Sequence, residues 1–283
     1  MSQLIINADD FGLANGVTDA IVECHLAGTV TSTTLMTNMG GAEYALRRAN
    51  ELPELSVGVH LNLTLGKPIS PLSDVKDLVG ADGEFYAPSK QFKNLSSRPH
   101  LYGQVYREFR AQMEWLLDRG YKPSHIDSHH HVLRFFPAAI AGGVICRNYN
   151  ITAIRSNVQW LRNATELKMP AKISRGIRSL YHASNTFIWS FIFGLNHPRY
   201  KVFLPSYESL ASDRDEYFNR FLKSLPSEIS ELSIHPGFAG AWTQDGSRMA
   251  GIRVFEYQLF RDPLIAQSFS DAGITLKSFK DIN

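Results

Sequence analysis

Short apolar runs alternate with amphipathic segments along this 283-residue chain, and this alternation restricts its fold more than any other feature. The run Leu4–Ala8 predicts a buried strand, and Asn15–Ala27 after it has apolar residues at helical spacing. Repeated units of this kind imply parallel strands joined by right-handed crossovers. Further strands are predicted at Thr29–Met36, Leu55–Leu63, Ser124–His129, Thr152–Ser156, Glu228–Ile234 and Ile274–Phe279.

Helical spacing recurs between these strands. About seven strands in a chain of this length favour an α/β fold in which a distorted (β/α) barrel forms one domain over residues 1–283. The less regular stretches 66–99 and 157–210 are expected to be insertions in that barrel. Helices are predicted at Ala42–Leu52, Leu101–Arg119, Pro137–Asn148, Ile173–Leu195, Asp213–Leu225 and Arg253–Ala272.

Composition excludes several classes of protein. Hydrophobic residues make up 44% of the chain and charged residues 20%, which is typical of a globular domain and not of a disordered chain. The formal net charge is only +2, and no basic cluster of the kind that binds nucleic acid is visible. The sequence begins without a signal-peptide pattern, and its most apolar stretch, Phe187–Leu195, is too short to cross a membrane. We therefore expect a cytoplasmic protein without a transmembrane segment.

Polar residues interrupt the chain where the predicted strands end. Asp9 and Asp10 follow the first strand, and two adjacent buried carboxylates repel each other unless a cation or a proton is present. A turn that caps the next helix is the alternative interpretation. His60 lies within a strand where an apolar residue would suffice, and His235 closes another apolar run. Each of these two histidines, taken alone, is also compatible with a structural role.

Three consecutive histidines, 129–131, follow the strand that starts at Ser124. Alternation along a strand directs His125, Asp127 and His129 to one face, and His130 to the opposite face if the strand continues that far. A run of solvated histidines is the alternative. Because this run lies inside the chain at a strand end, it favours metal binding.

These signals converge if the strands lie side by side in a barrel, because active sites of such barrels lie at the carboxyl ends of the strands. One Asp with two His is an open ligand set, which suits Zn²⁺, Mg²⁺, Mn²⁺ or Co²⁺ in a hydrolase rather than a closed structural zinc site. The remaining Asp can then accept a proton from water, and another His can protonate a leaving group.

The motifs as an ordered set resemble those of the YdjC-like carbohydrate deacetylases, and the resemblance runs nearly from end to end. It implies a distorted (β/α) barrel with one divalent metal, Mg²⁺ or Zn²⁺, a substrate that contains N-acetylglucosamine, and a homodimer. The motifs that carry it are Asn7–Gly12, Thr31–Thr34, Gly58–Leu61, Thr64–Pro68, His125–His131, His235–Pro236, Arg253–Glu256, Asp262–Pro263 and Gly273–Leu276.

The resemblance also assigns roles residue by residue. It places Asp10, His60 and His129 on the metal ligands, Asp9 on the catalytic base and His235 on the general acid. Contacts to the substrate or to these residues are expected from His125, Asp127, His130 and Arg155; Arg155 would steady the base, and a surface position is the alternative for it. Apart from the resemblance, Phe238 and Trp242 in the loop after His235 are candidates for stacking on a sugar face, with packing beneath the loop as the alternative.

Two departures from the family pattern bear on the substrate. Leu133 stands where close relatives have a further histidine, and the stretch Phe187–Leu195 is unusually aromatic. Relatives that deacetylate an acetylglucosaminyl hopanoid make such a glycolipid the alternative substrate. Two other classes remain open at this point, a metal-dependent phosphoester hydrolase and a non-catalytic sugar-binding protein. Five potential site residues at strand ends argue against mere binding, which needs neither a base nor an acid.

Overall fold

The computed structural model describes residues 2–160, 186, 188–205, 214–242, 244 and 247–282. In this part of the chain, eight strands form a single sheet in the spatial order β5-β4-β3-β2-β1-β7-β6, and β8 pairs with the first residues of β1. Every pairing between these strands is parallel. The strands are β1 Gln3–Phe11, β2 Ser32–Leu35, β3 Ser56–Leu61, β4 His125–Ser128, β5 Ala153–Ile154, β6 Tyr200–Val202, β7 Ile229–Ile234 and β8 Thr275–Lys277.

The sheet curls until its two edge strands meet. The chain beyond β5 reaches β6, where the Trp160 amide donates to the Lys201 carbonyl (2.9 Å) and the Lys201 amide donates to the Val158 carbonyl (2.7 Å). These bonds join the two edges of the sheet. Because β5 has only two residues, the contact with β6 is made by the irregular chain after β5 and not by a regular strand. The sequence-based expectation of an α/β fold with a distorted barrel is therefore confirmed.

Helices surround the sheet, as repeated β-then-α units require. The apolar core lies between them and the barrel, and all of β1 after its first residue is buried. Trp189 belongs to this core and donates its indole N–H to the Ala139 carbonyl at 3.0 Å. The helices are α1 Asn15–Leu26, α2 Ala42–Asn50, α3 Pro88–Ser97, α4 Tyr102–Leu117, α5 Phe136–Asn148, α6 Arg214–Ser224, α7 Ser247–Phe260 and α8 Pro263–Asp271.

Some predicted element boundaries were wrong. The helix expected over Arg253–Ala272 is two helices, since Asp262 caps the second and accepts the amide proton of Leu264, while Pro263 occupies its first turn. The stretch 66–99, for which no helix was predicted, contains α3, and β6 was not predicted. The helix predicted over Ile173–Leu195 lies largely outside the described residues. Within that range, the described residues 188–193 are helical.

None of the described helices combines the length and the apolar character needed to cross a membrane.

Candidate active site

An irregularity at the end of β1 brings two adjacent carboxylates into the barrel. Alternation would direct Asp9 and Asp10 to opposite faces of a regular strand. The register of β1 with β2 shifts between Ala8 and Phe11, and Asp10 has a left-handed backbone with φ of +69°. Both side chains are buried, as is the rest of β1 after its first residue, and both face the same group of polar residues. Bulges of this type re-aim side chains next to active sites, and a non-glycine residue at positive φ marks stored strain.

Asp10 faces two imidazoles with an oxygen that accepts no hydrogen bond. Its Oδ2 accepts a 2.7 Å bond from Arg253 Nη2. Its Oδ1 lies 3.4 Å from His60 Nε2 and 4.0 Å from His129 Nε2, and it has no hydrogen-bond partner among the described residues. Burial alone would raise the pKa of Asp10, but the positive charge of Arg253, the largest opposing effect, holds this pKa well below its usual value. A buried, ionised carboxylate therefore directs one oxygen at two ring nitrogens.

His60 is fixed by contacts on its other ring nitrogen. Its Nδ1 lies 2.6 Å from Asp127 Oδ1 and 3.0 Å from Thr34 Oγ1. Burial lowers the pKa of His60, but the adjacent Asp127 carboxylate outweighs burial and raises it. With Nδ1 committed to Asp127, Nε2 remains for Asp10 or a cation. This carboxylate–histidine arrangement is the one that commonly orients a metal ligand.

His129 comes directly after β4, at the start of a tight turn. Its Nδ1 lies 2.9 Å from Thr64 Oγ1 and 3.3 Å from Asn62 Oδ1. Burial lowers the pKa of His129 to about 3, so this ring is neutral near neutral pH. His130 and His131 follow in left-handed conformations, and the ring of His130 lies against that of His129, with 3.9 Å between centroids and 40° between the ring planes. The strand has ended before His130, which therefore does not point to the opposite face.

Arg155, immediately after β5, joins three buried carboxylates. Its Nη1 and Nη2 donate to the two oxygens of Asp9 at 2.8 and 2.6 Å. Nη1 also lies 2.7 Å from Asp127, and Nε donates to Glu231 at 2.7 Å. Burial alone would raise the pKa of Asp9, but Arg155 holds it well below the usual value. Because three carboxylates form ion pairs with this one guanidinium, its positive charge neutralises Asp9 only in part.

His235 lies at the end of β7 and is half-buried, so it borders both the site and solvent. Its Nε2 is 3.8 Å from Asp9 Oδ2, and its Nδ1 is 3.8 Å from Glu256 Oε2, which also accepts the His235 backbone amide proton. Burial disfavours the charged ring, but Glu256 and Asp9 raise the pKa of His235 above its usual value. The Asp9 and Glu256 carboxylates therefore favour the charged form of the His235 ring.

The structure places the remaining predicted residues in different surroundings. Asp127 and Arg155 join the site directly, and His130 borders it through the 3.1 Å contact of its Nδ1 with Thr64. His125 is fully buried and stacks on the ring of Phe279 with 3.6 Å between centroids, in the barrel interior. Trp242 is half-buried and packs against the main core.

Two overlapping groups of residues offer donor atoms for a metal. Among the described residues, atoms of Asp9, His60 and Asp127 lie within 4.8 Å of one another. Arg155 already binds both of those carboxylates, and Asp127 also binds His60. Asp10 Oδ1 has no such partner and faces two imidazole nitrogens. One carboxylate oxygen with two imidazoles is a donor set that suits a divalent cation, so the chemistry favours Asp10, His60 and His129.

The residues that contact the site without a predicted role include three charged ones. Arg253 and Glu256 belong to a motif of the resemblance that had no predicted role. They lie three residues apart on α7, and both reach the rim of the barrel. Glu231 is fully buried inside β7 and bonds to Arg155. An acidic residue at a buried strand position was a signal that could have identified it.

Comparison with known proteins agrees with this architecture. A family model described as YdjC-like protein matches residues 3–271. The chain is 30% identical over 277 residues to a protein named carbohydrate deacetylase from Geobacillus stearothermophilus, with 98% of this chain and 96% of the relative covered. A protein of the same name from Clostridium beijerinckii is 31% identical over 280 residues, with 99% and 100% covered.

A solved structure has the same overall arrangement. It is a protein of Enterococcus faecalis V583 described provisionally as a cellobiose-phosphate cleavage protein. The two chains superpose with a TM-score of 0.78 at 26% sequence identity, with 99% of this chain and 98% of the other covered. By the extent of the family match and the full-length similarity to these relatives, the chain belongs to the YdjC-like protein family.

Proposed function

We propose that this chain is a metal-dependent carbohydrate deacetylase that hydrolyses the N-acetyl group of an amino sugar such as N-acetylglucosamine in an oligosaccharide or glycoconjugate. The products would be acetate and a free amine. The observation that carries the proposal is the buried Asp10 Oδ1, which faces His60 and His129 without a hydrogen-bond partner among the described residues. The relatives named carbohydrate deacetylase support the reaction class.

The residues of this chain fit a divalent cation at Asp10, His60 and His129. A buried carboxylate oxygen without a donor is costly unless a cation compensates it. Arg253 holds the other oxygen of Asp10, which leaves Oδ1 as a single ligand atom. A bound Mg²⁺ or Zn²⁺ would supply positive charge that polarises a carbonyl oxygen and lowers the pKa of a coordinated water towards ~7.

Asp9 is the proposed general base. Its carboxylate is ionised, because the pKa is held well below the usual value, and it lies next to Asp10 on the same strand end. Both of its oxygens bind Arg155, which fixes the orientation of the carboxylate. Asp127 and Glu231 share that guanidinium, so its charge only partly offsets the basicity of Asp9. Asp9 can therefore take a proton from an attacking water while it stays in one position.

His235 is the proposed general acid. An amine leaves an amide only when its nitrogen is protonated, so the reaction needs a positioned proton donor. His235 has a raised pKa, borders solvent and lies 3.8 Å from Asp9, which supports a proton donor and a proton acceptor acting on one substrate group. Glu256 holds its ring and backbone from the opposite side.

Two aromatic residues in the loop after His235 are candidates for contact with the sugar ring of the substrate. Phe238 packs edge-on against Tyr257 with 4.9 Å between centroids, so its ring is already engaged in packing. Trp242 is half-buried and keeps some accessible surface. Trp242 is therefore a better candidate than Phe238 for stacking its ring on the apolar face of a sugar.

Acetate release tests the proposal. Purified protein would be assayed with N-acetylglucosamine oligosaccharides and with an N-acetylglucosaminyl glycolipid, each with and without a chelator. Phosphate release from phosphoesters would be measured in parallel. Chelator-sensitive acetate release supports the proposal, and the favoured acceptor distinguishes an oligosaccharide from a glycolipid. Phosphate release without acetate release would assign the site to the other hydrolase class, and no turnover with retained sugar binding would leave only a binding protein.

A further inference from the structure

Gln112 on α4 is fully buried and bonds to the chain directly after β3. We propose that Gln112 is a positioning residue that acts through Asn62 and Thr64 to keep His129 in the tautomer that presents its Nε2 lone pair to a cation. This inference rests on the proposed function, because it deepens the role of His129 there. Four polar side chains carry it, and each is buried: Asn62, Thr64, Glu108 and Gln112.

The side chain of Gln112 pairs with the backbone of Asn62 like an additional peptide group. Its Oε1 accepts the Asn62 amide proton at 2.9 Å, and its Nε2 donates to the Asn62 carbonyl at 2.7 Å. Glu108, one turn earlier, accepts a second Nε2 proton at 2.8 Å, so the amide cannot be flipped. Gln112 thereby fixes the chain at the point where β3 ends.

Glu108 secures the far end of the same loop. Its two carboxylate oxygens accept the amide protons of Ile69 and Ser70 at 3.0 and 2.9 Å. Residues 62–70 are therefore held at both ends by two side chains on one face of α4, four residues apart. Thr64 lies between these attachments, opposite His129.

The Asn62 side chain has its donor and acceptor roles fixed by its surroundings. Its Nδ2 donates to Asn38 Oδ1 at 3.0 Å and to the Leu65 carbonyl at 2.7 Å. Asn62 Oδ1 is therefore the acceptor, and it takes the Thr64 amide proton at 2.9 Å. It also lies 3.3 Å from the Thr64 hydroxyl and 3.3 Å from His129 Nδ1.

An acceptor at Asn62 determines which nitrogen of His129 carries the proton. Neutral imidazole has one N–H and one lone pair. The His129 Nδ1 atom faces two oxygens, Asn62 Oδ1 and, at 2.9 Å, Thr64 Oγ1. Asn62 Oδ1 can only accept a hydrogen bond. Thr64 Oγ1 can also accept one when its own proton is donated to Asn62 or His130. Nδ1 is therefore the donor, and the lone pair lies on Nε2. That lone pair faces Asp10 Oδ1 at 4.0 Å, an arrangement of two acceptors that a cation would stabilise.

Two matched pairs of variants test this relay. Thr64→Val removes the hydroxyl and Thr64→Ser keeps it, so only the first should weaken Zn²⁺ binding, by about 10- to 100-fold. Gln112→Leu should weaken Zn²⁺ binding over the same range. Gln104→Leu is its control on α4, since Gln104 bonds to Asp77 rather than to the loop at Asn62. Binding would be measured by calorimetric titration of purified protein with Zn²⁺.

The tautomer itself is measurable in metal-free protein. We expect ¹⁵N NMR of wild-type protein to show His129 with its proton on Nδ1, the signal being assigned by its loss in His129→Gln. A proton on Nε2 would overturn the inference, and so would equal losses of Zn²⁺ affinity in Gln112→Leu and Gln104→Leu. If Gln112→Leu does not fold, Gln112→Met takes its place against the same Gln104→Leu control, and the Thr64 pair and the NMR signal still test the His129 end of the relay. Wild-type protein that binds no divalent metal would instead overturn the proposed function, while the NMR result would still test the inference.

Discussion

Arg253 Nη2 donates to Asp10 Oδ2 at 2.7 Å, and both side chains are buried. This ion pair joins the last third of the chain to the end of β1. It also divides the carboxylate of Asp10 into two unlike oxygens, one neutralised by Arg253 and one directed at His60 and His129. The helix that carries Arg253 therefore determines which oxygen of Asp10 remains for a cation.

Replacing Arg253 with Met tests this division. The change leaves the Asp10 carboxylate buried without its main positive partner, and removing one partner of a buried pair costs about 3–5 kcal/mol. We expect chemical denaturation of metal-free protein to show a loss of that size, partly recovered when Zn²⁺ is added. Arg248→Met, on the exposed face of the same helix, is the control and should leave stability nearly unchanged. Equal stability of the two variants would contradict the role given to Arg253.

Asp9→Asn separates catalysis from metal binding. The amide has nearly the shape of the carboxylate but cannot accept a proton, so we expect acetate release to fall roughly 100- to 10,000-fold while bound metal is retained. Turnover and elemental analysis on the same preparation measure the two effects. Asn cannot ion-pair with Arg155, so circular dichroism must first show that the variant is folded. Near-wild-type turnover would rule out Asp9 as the base.

The order of strands and helices, and with it the convergence of strand ends, follows from the apolar periodicity of the sequence. Parallel strands bring their carboxyl ends to one rim, so a constellation of Asp9, Asp10, His60, His129 and His235 could be predicted without distances. The local backbone that lets both adjacent carboxylates face one site could not be predicted, because regular alternation directs them to opposite faces. It includes the left-handed conformation of Asp10.

The contacts that helix residues make with the site could not be predicted from the sequence for a different reason. Arg253 and Glu256 lie far along the chain from Asp10 and His235, and no local pattern indicates which charged helix residue is buried. The same holds for Gln112, whose partner Asn62 lies fifty residues earlier. Long-range polar contacts of this kind are properties of the packed structure.

His60→Ala tests the ligand assignment directly. Loss of Nε2 removes one of the donor atoms that face Asp10 Oδ1, so we expect metal content by elemental analysis to fall at least tenfold. His25→Ala is the matched control, because His25 lies at the end of α1 and its Nδ1 contacts the Val30 carbonyl. Unchanged metal content in His60→Ala would refute the ligand set.

The pH dependence of kcat/KM tests His235 as the acid. A proton donor must be charged to act, so activity should fall as pH rises through the pKa of His235. Glu256 raises that pKa, and Glu256→Gln removes the charge while it keeps an oxygen for the backbone amide of His235. The alkaline decline should therefore begin at lower pH in Glu256→Gln. The exposed Glu228→Gln is the control, and an unshifted decline in Glu256→Gln would argue against this acid.

Metal removal should destabilise the fold as well as abolish turnover. A cation that binds only the native state stabilises it by RT ln(1 + [M]/Kd), about 2.7 kcal/mol when the free metal is 100 times Kd. We expect a chelator to lower the melting temperature by several degrees and excess Mg²⁺ or Zn²⁺ to restore it, as measured by calorimetry.

The control is Asp10→Asn, which lacks the carboxylate that faces both imidazoles. If the stabilisation arises at this site, the melting temperature of Asp10→Asn should be insensitive to chelator and to added metal. A metal-dependent shift that persists in this variant would place the stabilising cation elsewhere, with the acidic groups around Arg155 as the next site to test. Comparison of wild type and Asp10→Asn over a metal titration therefore distinguishes the Asp10 site from the alternative group of Asp9, His60 and Asp127.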